Sequence, residues 1–392
     1  MTMLRAVVTG IGAVTPLGNS FAESWKALLE GRPGIGAITR FDPSGMPCKK
    51  AGELRGFRAE DYIGAKDVLR LDPFVHYAAA AASMAAEDSG LGGRTLEAAA
   101  VLMGSSRGGI GSLAAAVGAR ATAFLMAGTT VSMAASCVSR LLGARGPVLG
   151  ISNACASGAN AVGEAMRLIR GGHADVVIAG GAEAPLAPVC LGGYGAAGVL
   201  SEEGVMRPFD RRRDGFVLSE GAAVLVLEER AAALEKGARI YGEVLGYGNT
   251  SDAFHITVPD AESQARAMRA ALLDAGLDKE AIGYVNAHAT ATPIGDRTEA
   301  ESIARVFGSS VAVSATKSMT GHMLGASGAF EAAVALMCIY SGTIPPTANL
   351  EEPDCELGHV RAARRESLEA ALSNSFGFGG VNAVLVLGKA AG

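Results

Sequence analysis

One cysteine and two histidines carry the chemistry open to this sequence. Cys155 lies in NACASG, between the apolar run 148–152 and a long small-residue segment with helical spacing. His288 lies in NAHATATPIGD (286–296), and His322 in TKSMTGHMLGASG (316–328). A thiol at a strand-to-helix elbow faces amide N–H groups that have no partner inside the helix. The positive end of the helix dipole then favours thiolate over thiol. A thiolate can take an acyl group from a thioester, and two neutral imidazoles can donate hydrogen bonds to a developing enolate oxygen. The trio therefore points to acyl transfer through a thioester. Each residue also has a plainer reading. Free cysteines are commonly core residues, and a histidine at a strand end is commonly a structural hydrogen-bonding group.

Other side chains gather around the three in sequence. Thr290 and Thr292 put two hydroxyls on the turn after His288. Lys317 precedes His322, and a buried lysine needs a carboxylate, for which Glu331 is the candidate. NSFGFGGVN (374–382) sets Phe376 among glycines that can bring backbone N–H groups close to a ligand. RPFDRRRDGF (207–216) offers Arg211, Arg212 and Arg213 either to solvent or to an acidic partner.

These residues need rigid elements to hold them. Apolar runs at 5–9, 98–104, 148–152, 175–179 and 222–228 read as strands of a first half. Helices are expected at 20–29, 72–90 and, with a break near 128–130, over most of 110–143. A second half repeats the grammar, with strands at 238–248, 283–288, 311–314 and after 380, and helices at 262–275 and through Glu331 to Tyr340. GIGAVTPLG (10–18) reads as a turn, and it lacks the GxGxxG spacing of a dinucleotide site. Strands alternating with helices predict α/β layers with mostly parallel sheets. The shared order of strand, glycine-rich elbow, Ala-rich helix and closing strand suggests a duplication. Its seam falls near 230–240, giving halves 1–235 and 236–392.

Composition narrows the function classes. Hydrophobic residues make up 49% of the chain and charged ones 19%, which implies an extensive core and a buried subunit interface. The net charge of −5 argues against a general nucleic-acid binder. Six cysteines without CxxC pairing or metal-ligand spacing fit a reduced, cytoplasmic setting. The N-terminus does not read as a signal peptide, and no clean membrane span of about 20 apolar residues is expected.

With these motifs in their order, the sequence resembles the β-ketoacyl-acyl-carrier-protein synthases, above all the type II condensing enzymes of fatty-acid synthesis. NACASG, NAHATATPIGD, TKSMTGHMLGASG, NSFGFGG, RPFD and VTGIGAVTPLG carry the resemblance over essentially the whole chain. It implies a thiolase-like fold, two α/β halves in five layers (αβαβα), and a homodimer. It implies that Cys155 takes an acyl group from a carrier thioester, with the N–H groups of Cys155 and Phe376 as oxyanion hole and Phe376 as a gate. His288 and His322 would stabilise the enolate formed as malonyl carrier protein loses CO2. Lys317 and Glu331 would hold the second histidine, and Thr290 and Thr292 would contact the phosphopantetheine arm. No cofactor, nucleic acid or membrane is implied. The partner is an acidic acyl carrier protein, with Lys66, Arg70 and Arg211–Arg213 as docking candidates.

Three positions depart from the family pattern. Ala289 and Val381 stand where glycine and threonine are usual. Arg107, in SSRGGIG, stands where fatty-acid members typically carry an apolar residue that gates the acyl pocket. An arginine there pairs structurally or turns to solvent, or else it marks a shortened or polar acyl pocket. The 105–135 segment is also shorter than usual. Competing readings are a polyketide or aryl-polyene ketosynthase, which shares every catalytic residue, a non-catalytic chain-length-factor partner, which lacks the cysteine, and a thiolase, which needs a second catalytic cysteine.

Overall fold

A computed structural model of the chain describes residues 4–91, 94–119 and 121–390. Strand β1 (Ala6–Val14) runs straight through the glycines expected to form a turn. The reason is packing. Helix α1 (Pro73–Ser89) crosses this strand, and a Cβ on Gly10 or Gly12 would fall 2.2 Å from the Ala85 carbonyl oxygen or 2.1 Å from that of Ala81. Glycine lets helix backbone and strand backbone approach closely. Helix α1 begins where the Asp72 side chain accepts a hydrogen bond from the Phe74 N–H at 3.0 Å, and it ends at Gly90 in the left-handed region.

The first half adds β2 (Ala100–Gly104), β3 (Val148–Ile151), β4 (Val176–Glu183) and β5 (Gly221–Glu229). Their order is β3-β2-β4-β5-β1, with β2 parallel to β3 and β4 and the β4–β5 and β5–β1 pairs antiparallel. The second half contains β6 (Gly242–Ser251), β7 (Ile282–Asn286), β8 (Ala312–Ser314), β9 (Ala370–Gly377) and β10 (Val381–Gly388). Their order is β8-β7-β9-β10-β6, with the same pattern of parallel and antiparallel neighbours. Among the described residues the two sheets are joined by β1 and β6, with Val7 opposite Glu243 and Val8 opposite Gly242.

Helices fill the space between and outside the sheets. Helix α1 covers the outer face of the first sheet. Helices α2 (Ser157–Arg170) and α6 (Ser327–Ser341) lie side by side between the sheets. Helix α3 (Pro188–Ala196) flanks the site, and α4 (Ala261–Ala275) covers the outer face of the second sheet with α5 (Pro293–Phe307) beside it. The result is five layers in the order αβαβα. Val162, Met166 and Ile169 of α2 are fully buried in the middle layer, each worth about 1.5–3 kcal/mol of burial. The stretch Leu324–Ser341 is apolar and long enough to cross a membrane, yet 83% of it is buried as this central layer.

Two expectations are corrected. Among the described residues of 110–143 the helices are Ile110–Ala115, Leu125–Thr129 and Met133–Leu142: the expected break falls at the extended Thr130, but a further one, not expected, follows Ala115, where Gly118 takes a left-handed φ of 78°. Residues 370–377 form a strand, β9, hairpinned to β10, so the Phe-Gly-Phe-Gly-Gly stretch is a strand end and its turn.

Candidate active site

Cys155 stands on the elbow between β3 and α2, two residues before the first helical residue, Ser157. Ala154 takes a positive φ of 48°, a strained conformation for an L residue. The Ser157 hydroxyl pins the elbow: it accepts from the Asn153 N–H at 2.9 Å and donates to the Ala154 carbonyl at 2.6 Å. Gly158 then lets the tip of α2 approach the neighbouring chain, since a Cβ there would lie 2.5 Å from the Gly325 carbonyl oxygen.

His322 comes from the loop before α6 and is held at both ends of its backbone. Its N–H donates to the Val217 carbonyl at 2.8 Å, and its carbonyl accepts from the Ser219 N–H at 3.0 Å. Its ring sits between two partners, with Nε2 3.1 Å from the Cys155 sulfur and Nδ1 3.2 Å from Ser327 Oγ. His288 lies two residues past the end of β7, its ring centre 5.4 Å from that of His322 and nearly perpendicular to it. Cys155, His288 and His322 all line one cavity. The His288 Nδ1 is buried and has no hydrogen-bond partner among the described residues.

Electrostatics keep the imidazoles neutral. Burial, with help from the Lys317 charge, depresses both His288 and His322 well below the usual histidine value, and each therefore stays uncharged at neutral pH. Burial pushes the Cys155 thiol up to about 11, against the opposing pull of the Lys317 and Arg107 charges. The resting sulfur is therefore a thiol, and the helix start alone does not ionise it as the elbow suggested. Lys317 and Glu331 form a fully buried pair, Nζ to Oε1 2.6 Å, deep behind the two rings. Burial drives the Glu331 carboxyl up and the ammonium holds it down.

Thr290 and Thr292 line the cavity mouth with their hydroxyls 3.3 Å apart. Their turn is strained on both sides, with Ala289 at φ 22° and Ala291 at φ 62°. Ala289 thus occupies a conformation that a glycine adopts more easily.

Phe376 is displaced from its expected oxyanion position. It lies inside β9 opposite Asn382, and its ring packs 5.9 Å from that of His288. The N–H directed at the Cys155 sulfur belongs to Phe378, just past the strand end, where the chain has left the ladder.

The charged candidates separate. Arg213 is no docking residue: it is 7% exposed, pairs with Asp354 at 2.7 Å and donates to the Asp210, Thr292 and Pro293 carbonyls. It braces the cavity mouth from behind. Arg212 pairs with Asp210 and Glu351, and Arg211 reaches Glu352 at 3.6 Å with most of its side chain in solvent. Lys66 and Arg70 are exposed, and the Arg70 guanidinium lies 4.4 Å from the centre of the Phe124 ring. Arg107 is fixed to Tyr194, Nε to the phenol oxygen 3.0 Å, with its guanidinium 5.5 Å from the ring centre.

Several site residues carry no motif of their own. Glu299, on α5, accepts from the His288 and Ala289 N–H groups at 2.8 and 2.6 Å and from the Asn374 amide at 2.9 Å. It ties the His288 turn to β9. Glu183, at the end of β4, accepts from Ser105 Oγ and from the Ser106 and Arg107 N–H groups, and burial pushes it up to about 7. Phe216 stands edge-on to both His322 and Tyr194, at 5.2 and 5.4 Å. Asp252 and residues 255–259 also line the cavity, tied to the turn after β9 by a bond from the Gly379 N–H to the Ile256 carbonyl. Of these, Phe216 ends the RPFDRRRDGF stretch, and Glu299 is visible as an acidic residue 11 positions after His288 in a helix.

A twice-repeated strand plan, with a cysteine and two histidines brought to one cavity between its halves, defines a thiolase-like protein. Residues 4–233 match the model of the beta-ketoacyl synthase N-terminal domain, and residues 241–351 that of the C-terminal domain. Relatives named 3-oxoacyl-(acyl-carrier-protein) synthase 2 include one from Synechocystis sp., 43% identical, and one from Vibrio cholerae, 44% identical; the matches cover 98% of this chain and 98–99% of theirs. A solved beta-ketoacyl synthase from Burkholderia phymatum superposes with a TM-score of 0.94 at 36% identity, covering 99% of this chain and all of that one. A ketosynthase solved in complex with its type II PKS acyl-carrier protein superposes at 0.90 and 29% identity, covering both chains completely. The chain belongs to the β-ketoacyl synthase family.

Proposed function

We propose that this protein lengthens acyl chains by decarboxylative Claisen condensation in fatty-acid synthesis. The observation that carries this reading is the convergence of Cys155, His288 and His322 on one cavity. In the first half-reaction the Cys155 sulfur attacks the carbonyl of an acyl thioester. The carbon–sulfur bond to the carrier breaks, the acyl group stays on Cys155, and the proton leaves with the carrier thiol. In this reading the Cys155 and Phe378 N–H groups hold the oxyanion, supported by the Phe378 N–H directed at the sulfur. In the second half-reaction malonyl carrier protein loses CO2, and the two neutral rings donate hydrogen bonds to the enolate oxygen. The carbanion attacks the Cys155 thioester carbonyl, the carbon–sulfur bond breaks, and the Cys155 thiolate takes a proton from solvent as the β-ketoacyl product, two carbons longer, is released. Phe376 packs beside His288 and shapes the cavity next to the thiol, while Thr290 and Thr292 receive the carrier arm. The chemistry needs no further cofactor.

The partner in this reading is an acyl carrier protein, docked on Lys66, Arg70, Arg211 and Arg212. The protein works as a homodimer in the reducing cytoplasm, its halves divided at 235/236. Edge strand β3, with Leu149 half exposed, and the exposed Leu113, Val117, Phe124 and Met126 support an interface between copies. Elongation stands ahead of a polyketide role because the 3-oxoacyl synthase relatives are 43–44% identical, against 35% for the ishigamide ketosynthase/chain length factor and 29% for the type II PKS ketosynthase.

The test is condensation by wild type and Cys155→Ala with acyl and malonyl carrier proteins, with mass spectrometry of the trapped acyl-enzyme. Wild type should show an acyl adduct on Cys155 and iodoacetamide-sensitive product formation. Condensation that survives in Cys155→Ala would defeat the reading.

A further inference from the structure

The elbow that carries Cys155 is held from a second direction, by a tyrosine of the other half. Asn160 and Gly163 both lie inside α2, where each is a poor helix former. Both meet the same residue, Tyr247 of β6. A Cβ on Gly163 would stand 2.5 Å from the Tyr247 ring, so the absent side chain is the seat of that ring. The Asn160 Nδ2 donates to the Tyr247 phenol oxygen, and the Asn160 Oδ1 accepts from the Asn153 Nδ2 at 3.1 Å. Asn160 and Tyr247 are both buried, so water cannot replace either partner of the bond between them. Tyr247 is itself fixed. Its N–H donates to Asp274 of α4 at 2.9 Å, it stands opposite Leu385 of β10, and the Arg167 guanidinium lies 4.6 Å from its ring centre.

Asn153 directly precedes Ala154, whose positive φ sets up the elbow. A strained residue keeps its conformation only where the surroundings over-determine it. Ser157 fixes the main chain on either side of the Asn153–Ala154 peptide, and Asn160 fixes the Asn153 side chain. Gly377 closes over the same residue, since a Cβ there would lie 3.0 Å from the Asn153 carbonyl oxygen. We propose that Tyr247, Asn160 and Asn153 act as one hydrogen-bonded line that positions the Cys155 elbow for acyl transfer. All three are positioning residues, acting through the elbow and not on the substrate. The proposal rests on Cys155 as the acyl acceptor and adds to that reading what aims the sulfur.

The experiment is single-turnover loading of the full-length enzyme with hexanoyl carrier protein over a range of carrier concentrations. The adduct on Cys155 is read by mass spectrometry, and rates are taken per folded enzyme from thermal unfolding curves. Tyr247→Phe keeps the ring and its seat and removes only the hydroxyl. It should slow maximal loading about five- to tenfold, with the carrier concentration for half-maximal loading within about twofold of wild type. Asn160→Ala should do the same. The double variant should load within about twofold of the slower single one, because either change already breaks the line. Asn153→Ala closes the same cycle with Tyr247→Phe where Asn160→Ala folds poorly. A lower melting temperature with unchanged loading per folded enzyme, a change confined to the half-maximal concentration, or losses that multiply in the double variant each overturn the positioning line and leave the condensation reading standing. Absence of any adduct on Cys155 in wild type overturns both.

Discussion

The Cys155 sulfur and His322 Nε2 stand 3.1 Å apart although 167 residues separate them in the chain. The far side of the same ring, Nδ1, meets the hydroxyl of Ser327, the first residue of α6. The sulfur belongs to the start of α2 and the ring is tied to the start of α6. The geometry between sulfur and imidazole is thus set by how closely the two central helices pack, and it is fixed before any substrate arrives.

The thiol itself is predicted to be sluggish in the free enzyme. The thiolate is the form that reacts with iodoacetamide, and burial raises Cys155 to about 11. A raised value means that the reactive fraction falls as pH falls. The alkylation rate constant should climb about tenfold per unit between about pH 7 and pH 10 without levelling off. A plateau near about pH 8.5, the value of an ordinary cysteine, would show that the helix start and His322 outweigh burial.

The buried Lys317–Glu331 pair gives a second prediction. Lys317→Met leaves a carboxylate enclosed without its ammonium and should cost about 3–5 kcal/mol in urea unfolding. Lys317→Met combined with Glu331→Leu removes both charges and should recover most of that loss, because apolar residues of similar volume often replace buried pairs at little net cost. Equal losses in the single and double variants would mean that packing, not the unpaired charge, is what the lysine contributes.

How much of this could be read in advance follows from where the information lies. The Ala-rich α2 and α6, the apolar strands and the cysteine elbow are local patterns, and the repeat of strand, elbow and helix was visible in them. The glycines of β1 misled because their use is set by Ala81 and Ala85 of α1, far along the chain, and not by their own neighbours. Strand β9 was hidden because its polar run, Ser373 to Ser375, is buried between layers and carries no alternation. Arg213 looked like part of a solvated charge run because its partner Asp354 lies far along the chain. Phe376 and Phe378 are indistinguishable until the end of the ladder shows which N–H is turned to the sulfur.

Glu299 is the residue whose loss should show this hidden coupling best. Glu299→Ala leaves the His288 and Ala289 N–H groups and the Asn374 amide without their acceptor, at about 1–3 kcal/mol for each buried group left unsatisfied. Glu299→Gln keeps one carbonyl oxygen in place and should cost less. Burial raises the Glu299 carboxyl above its ordinary 4.5, so only between that value and the folded one does the folded state hold a proton that the unfolded state has released. Its contribution to stability is present below that ordinary value and is lost as pH rises through the folded value. Unfolding curves measured from acid towards neutral pH should therefore fall less steeply in Glu299→Gln than in wild type, and identical slopes would remove Glu299 from the explanation.

Gly158→Ala tests whether helix spacing governs the site. A Cβ there would stand 2.5 Å from the Gly325 carbonyl oxygen and 3.0 Å from the Ala329 N, both main-chain atoms that cannot swing aside. Alanine is the better helix former by about 1 kcal/mol, so a helix free to shift would be stabilised. In the closed middle layer the extra methyl must instead push α2 from α6, at about 1–3 kcal/mol. That displacement separates Cys155 from His322, and condensation should fall by about tenfold or more while the KM for carrier protein changes little. Gly192→Ala, in α3 with nothing within 4 Å of the added carbon, is the contrast and should leave stability level or slightly improved. If Gly158→Ala were as stable and as active as Gly192→Ala, contact between the two helix tips could not be what sets the distance from sulfur to imidazole.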